Sequence, residues 1–549
     1  KRQLENHRGT YTSQAWIKRA NRKAEFLLHD AEFLAAWAAL TTDYRYPHEE
    51  LRHAWTALCR NQFHDILCGV CIAEAYKESR RDFEVIFHIG HQVREASLKS
   101  LSQQLPKEAA FIAVNPTSFG GPRIGLLPEH LDSGQTVTNL VTRRPLMTQP
   151  VEEGTLVDVP YIDAYGFVGL GLADSASFPS DAGPSAWLSD GVAVLENDLL
   201  RVEFDERGEI TRIFDRDVGR EVLPPGKAAN EFQAFEDRPH KGEAWNIGAL
   251  YDGKHWTTDL PARFSVLENG PLRAGLAIRR RILGSEILQR IYLYRNSRYL
   301  EFDNWVDWQE RNILLKVSFP VSVLSPEATY DIQWGNIRRP THRNTSWDWA
   351  RFEVPAHKWV DLSEGNYGVS IISDCKYGCD VLGNVMRLTL LRSPTHPDPN
   401  ADQGEHRFAY GLLPHVDDWR AGTVAAAYAL NDPLIVRRIE AAAGSRASGS
   451  LVAADVSNVI IETVKLAEDG QGIIVRLYEN ECSRSRIGLR TSFPIFRAYY
   501  CNLLEENESM VAAECHELEL DVEPYQIVTL RLVAGLDIPS DASMKGQES

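Results

Sequence analysis

The chain has 549 residues, 44% hydrophobic and 25% charged, an ordinary globular composition long enough for three or four domains at ~150 residues each. Lys and Arg total 59 against 76 Asp and Glu, a net charge of −17 that would repel a phosphate backbone, so nucleic acid is not an expected partner. No run of ~18 apolar residues could span a bilayer, no signal-peptide pattern opens the chain, and eight scattered cysteines do not make a disulfide framework. The expectation is a cytoplasmic protein with reduced thiols and no membrane partner.

The first hundred residues have helical periodicity. Trp16, Ala20, Ala24, Leu27, Ala31, Leu34 and Ala38 recur at three and four, with Thr12 or Ser13 as N-cap candidates. Pro47 opens a second helix, with Glu49 and Glu50 at its positive end and a stripe of Leu51, Trp55, Leu58 and Gln62 or Phe63. A third run carries Ile72, Tyr76, Phe83, Ile86, Val93, Leu98, Leu101 and Leu105 on one face, until Pro106 stops it. Three helices with short connections imply a small antiparallel bundle.

From about residue 109 the period changes to two. "VAVLENDLLRVEFDERGEITRIFD" alternates around Asp205–Gly208 as a hairpin, and "GLAIRRRILGSEILQRIYLYRNSRYLEFDNWVDW" turns at Asn296–Ser297. Residues 171–186, rich in Ser, Gly, Pro and Asp, read as a loop or linker, and 537–549 as a disordered tail. The expected fold class is multidomain α then β: a three-helix bundle (12–106), a first β domain and linker (107–186), a large antiparallel β-sandwich domain (187–420) and a C-terminal β domain (421–536).

The stretch "NQFHDILCGVCI" (61–72) concentrates chemistry between two helices. On the second helix, His64 lies nine residues from Trp55, about 180° round at ~100° per residue, and faces away from the apolar stripe. A solvated face, or a face turned toward another domain, follows. Cys68-x-x-Cys71 has redox-pair spacing but a helical context. Cys59, His64, Cys68 and Cys71 are too close along one stretch to close a zinc tetrahedron easily.

With "HRGTYTSQ" (7–14), "NQFHDIL-x-G" (61–69) resembles the central region of glycoside hydrolase family 38, the retaining class II α-mannosidases, most closely their cytosolic/vacuolar and bacterial branch. The likeness continues through "LRVEFDERGEITRIFDRDVGREVLP" (200–224), "RRPTHRNTSWD" (338–348), "HKWVDLSEGNYGV" (357–369), "KYGCDVLGNVMRLTLLRSP" (376–394) and "DQGEHRFAYGLLPH" (402–415). It implies cleavage of α-mannosidic bonds in mannose-containing oligosaccharides by a carboxylate nucleophile and a carboxyl acid/base, with one divalent ion, zinc or cobalt, clamping sugar hydroxyls. By the same resemblance, His64 matches the metal ligand and Asp65 the adjacent sugar-binding carboxylate. Glu5 is the one candidate for the acid/base, and residues 1–11 are a remnant of the catalytic domain. The family's His-x-Asp pair and nucleophile have no counterpart here. The expectation is therefore a C-terminal portion that binds the ion poorly and is inactive alone. The alternative is a non-catalytic carbohydrate-binding or assembly module, and a homo-oligomer is possible in either case. Cys68 and Cys71 stand where the family has Pro and Ser. Asp237 and Trp245 are candidate sugar contacts. Arg238, His357, Asp361, Asp380, Asp402 and His406 are charged residues of matching motifs expected chiefly to hold turns.

Overall fold

The computed structural model describes residues 6–174, 183–189, 192–440 and 443–535. Three long helices lead: α1 (Ala15–Thr41), α2 (His48–Asn61) and α3 (Ala73–Ser102). Ile17, Ala24, Leu28, Leu58, Phe83 and Ile86 form the bundle core, on the faces that the 3.6-residue period predicts. Ile72 and Phe63 are exceptions: one precedes α3, the other follows α2, and both are exposed.

Helix α1 starts differently from expectation. Neither Thr12 nor Ser13 caps it. The carboxylate of Asp402 accepts the Gln14 N–H (2.9 Å) and the Ala15 N–H (2.6 Å), a cap supplied from the β region, while the Ser13 hydroxyl donates to the Ala244 carbonyl. Farther along, Ala31 to Ala38 is buried without interruption. Small side chains let this half of α1 sink between domains, where Phe33 and Trp37 pack with Tyr165, Phe167, Leu451 and Ile461.

The rest is predominantly antiparallel sheet, as the change of period near Pro106 implies. The hairpin pairs Leu200–Phe204 with Ile210–Asp215, and Ser285–Tyr294 pairs with Leu300–Trp308. Nine- and six-stranded sheets form the large sandwich around Phe302, Trp308, Val317 and Leu388. Four- and five-stranded sheets close the C-terminal part.

Three features depart from the sequence expectation. Gly166–Asp174 is one strand paired with Gln135–Asn139, so 171–174 is sheet and not loop; residues 175–182 lie outside the described residues, as does the expected tail. Ile435–Arg438, expected in the C-terminal domain, sits in the first sheet between Phe111–Asn115 and Gly121–Leu127, the latter pairing parallel. It is delivered there by a helix, α4 (Thr423–Asn431), that sequence reasoning passed over. Among the described residues no helix is long and apolar enough to cross a membrane.

Candidate functional site

The motif at 61–69 divides into residues that anchor and residues that are presented. Asn61 is buried; its amide donates to the Ala57 carbonyl and to Asp82. Gln62 ends α2 and donates to Asn21 (3.0 Å) and Glu25 (2.9 Å) of α1, locking the two helices together. The helix then breaks. Phe63 is extended (φ −52, ψ 138), and a new single turn, His64–Leu67, begins. His64 is therefore not on α2 at all. It is exposed because the chain changes direction, not because of its angle from Trp55. The phenyl ring of Phe63, itself exposed, lies 4.5 Å from the imidazole.

That turn is seated on the segment 7–14. Gly69 has φ +82, and a Cβ there would stand 2.0 Å from the Ser13 carbonyl oxygen, so only glycine allows the approach. Lys18 clips the two pieces, its ammonium donating to the Ser13 and Leu67 carbonyls. Burial pulls its pKa down to about 8, with the neighbouring Cys68 acting against that shift. Tyr76 closes the turn from α3 through the Ile66 carbonyl and the Cys71 N–H. Cys68 and Cys71 are free thiols, half-buried, and belong to no metal-binding group among the described residues.

The presented pair is His64, three-quarters exposed, and Asp65, half-exposed, with Nε2 and Oδ2 3.5 Å apart. Among the described residues no third His, Cys, Asp or Glu joins them in a metal-binding group. One imidazole and one carboxylate do not close a zinc site, so no step can be routed through an ion held by these two residues alone. Behind them a cavity of about 850 Å³ separates bundle from β region, with Lys18, Gln62, Leu67 and Cys68 on one wall and Trp334, His357, Lys358 and Tyr377 on the other. His357 is held neutral, its pKa pushed well below the usual imidazole value by burial and then by Arg22.

The remaining candidates have other roles. Asp237 is buried and committed: it accepts from Arg392 Nε (2.5 Å) and from the Gly248 N–H, which leaves it unable to meet a sugar. Arg392 also donates to Ser13 Oγ and to the Ala244 and Asn246 carbonyls, so this pair joins "HRGTYTSQ" to the sandwich. Trp245 is half-buried, and its carbonyl accepts the Gly9 N–H at 2.9 Å. Asp380 is paired with the buried Lys316 (2.8 Å) and with Arg387. Asp361 meets His415 (2.8 Å). Asp402 is the α1 cap, and His406 donates to its carbonyl (3.0 Å). Arg238 pairs with Glu236 at the surface. Glu5 lies outside the described residues. Arg392, Lys316 and His415, which hold Asp237, Asp380 and Asp361, come from distant segments, so the motifs gave no sign of those pairs.

Comparison with known proteins agrees with this architecture. Residues 5–101 match the Alpha mannosidase middle domain, 195–400 the Glycosyl hydrolases family 38 C-terminal domain, and 458–530 the Glycosyl hydrolases family 38 C-terminal beta sandwich domain. Alpha-mannosidase 2C1 of Homo sapiens is 35% identical over 543 residues, covering 96% of this chain and 50% of the relative. Alpha-mannosidase of Saccharomyces cerevisiae is 29% identical over 567 residues, covering 96% and 48%. The chain thus spans about half the length of the curated relatives it matches. An alpha-mannosidase structure from Enterococcus faecalis superposes with TM-score 0.81 at 18% identity over 95% of this chain and 68% of that one, a likeness of fold. The chain belongs to glycoside hydrolase family 38, of which it carries the middle domain and the C-terminal β domains.

Proposed function

We propose that this chain forms the middle and C-terminal parts of a retaining α-mannosidase acting on mannose-containing oligosaccharides, and contributes one edge of its active site through His64 and Asp65. The observation that carries the reading is the presentation of Phe63 and His64, both exposed, with the half-exposed Asp65, on a turn fixed by Gln62, Lys18 and Gly69, between the buried Asn61 and Gly69. In this reading His64 offers one nitrogen to a divalent ion, zinc or cobalt, whose other ligands come from outside these residues. Such an ion would polarise and orient sugar hydroxyls. Asp65 accepts hydrogen bonds from those hydroxyls, and the exposed Phe63 ring shields the imidazole on one side.

Chemistry sets the division of labour. Retention requires a nucleophilic carboxylate and a second carboxyl about 5–5.5 Å away across the anomeric carbon. His64 and Asp65 supply a ligand and a sugar contact but not that pair. The test joins the N-terminal half of Alpha-mannosidase 2C1 to this chain and follows hydrolysis of an activated aryl α-mannoside. Turnover should appear and should fall by several powers of ten in His64→Ala. Turnover unchanged by that substitution would remove His64 from the reaction.

A further inference from the structure

A second group of metal-ligating side chains lies deep between the bundle and the first sheet, on residues unrelated to His64 and Asp65. His29 and Asp30 come from the middle of α1, and Asp432 caps the end of α4, three residues before the strand Ile435–Arg438. His29 Nδ1 is 3.5 Å from Asp30 Oδ1 and 3.8 Å from Asp432 Oδ2, and the three ligand atoms lie within 4.8 Å of one another. Asp30 and Asp432 are 3% and 5% exposed. All three atoms are buried and none makes a hydrogen bond of ordinary geometry, although Asp30 favours the charged imidazole of His29 against burial, and burial with Asp30 pushes the Asp432 carboxyl well above the usual carboxylate range.

The hydrogen-bond network fixes what these atoms offer. Tyr165 donates its hydroxyl proton to the Ile461 carbonyl (2.8 Å), so its oxygen can only accept from His29 Nε2 (3.1 Å). That places the imidazole proton on Nε2 and, in the neutral ring, turns the Nδ1 lone pair toward the two carboxylates. Arg94 approaches Asp30 from the opposite side, at Oδ2 (3.8 Å), and can offset one of the two negative charges. Three converging lone pairs are costly in a buried place and call for a positive charge between them, a shared proton or a metal ion.

We infer that His29, Asp30 and Asp432 bind a divalent transition-metal ion that staples the helical bundle to the first β-sheet. Tetrahedral zinc with bonds of ~2.0–2.2 Å holds its donors ~3.3–3.6 Å apart, so small side-chain adjustments complete the site. One imidazole nitrogen and two carboxylate oxygens suit zinc, cobalt or manganese, and a fourth position is left for water. Ions can reach it: His29 and Asp432 line the 850 Å³ cavity, while Asp30 and Asp432 line a second cavity of about 1170 Å³ on the other side. The role is structural. The ion would join α1 to the segment that threads Ile435–Arg438 into the first sheet, where no covalent link exists.

The test uses the whole chain, stripped with a chelator. Cobalt is titrated and followed by its visible d–d absorption, zinc by calorimetry, and the thermal midpoint is recorded with and without zinc. One equivalent should bind to the native chain and to His64→Ala, and zinc should raise both midpoints. Asp432→Asn keeps the side-chain shape and relieves carboxylate repulsion, so it should fold yet lose the cobalt spectrum and the zinc-dependent shift; His29→Gln should do the same. Tyr165→Phe, which frees the imidazole tautomer, should weaken binding about 10–100-fold while leaving one equivalent. No uptake by the native chain would show that a shared proton, not a metal, occupies the cluster. Uptake retained by Asp432→Asn and lost in His64→Ala would place the ion elsewhere. Either result overturns the inference.

Discussion

His406 shows how burial sets a proton's affinity. The ring is 8% exposed, and desolvation, followed by the nearby charge of Lys376, pulls its pKa down to about 4. In the unfolded chain it would titrate at the ordinary imidazole value of 6.5. Between these values the unfolded state binds more protons, so the contribution of His406 to stability rises as pH goes from 4 to 6.5 and is constant above. Asp402 beside it works in the opposite sense: burial raises its carboxyl to about 6. A comparison of variants therefore isolates the histidine. Urea unfolding of the native chain and of His406→Gln at several pH values should give a stability difference that moves in favour of the native chain by about 3 kcal/mol across that interval. A difference independent of pH would mean that the ring is protonated in the fold.

At the scale of elements, the turn that carries His64 depends on close backbone approach. Gly69 and Gly134 both have positive φ, +82 and +84, but only Gly69 faces an obstacle, the Ser13 carbonyl, while Gly134 has open space. Gly134→Ala should cost only the left-handed strain, about 1 kcal/mol, whereas Gly69→Ala should cost at least about 2 kcal/mol more. Thermal unfolding of the two variants checks this, and equal losses would show that the turn does not rest on segment 7–14. The helices themselves were legible because their apolar stripes repeat locally. The break at Phe63 was not: the residues that end α2 are held by Asn21, Glu25 and Asp82, far along the chain. The α1 cap was equally hidden, since Asp402 lies 388 residues beyond Gln14. Helix α4 was missed although Val424, Ala427, Tyr428 and Asn431 are buried at helical spacing, because its Ala-rich run is short and bordered by strands.

For the whole molecule, the order bundle then sheets followed from the change in hydrophobic period, but the way the parts interlock did not. Ile435–Arg438 returns to the first sheet, and α1 runs through two cores, connections that nothing in the local sequence marks. His64 and Asp65 were singled out by their motif, and the structure places both at the surface of one turn. Asp237, from an equally good motif, proved to be a buried partner of Arg392, because a motif preserves folding contacts as well as functional ones. The cluster of His29, Asp30 and Asp432 was invisible, because Asp432 lies some 400 residues beyond the adjacent His29 and Asp30.

The function proposed above has these residues present one edge of an α-mannosidase site and not the whole of it. The most direct test is the purified chain alone, assayed with an activated aryl α-mannoside in the presence of zinc or cobalt, beside its His64→Ala variant. The account predicts no turnover by either, since His64 and Asp65 offer neither the carboxylate pair nor enough ligands for the ion. Turnover by the native chain that His64→Ala abolishes would contradict it, by showing that these residues build a complete site.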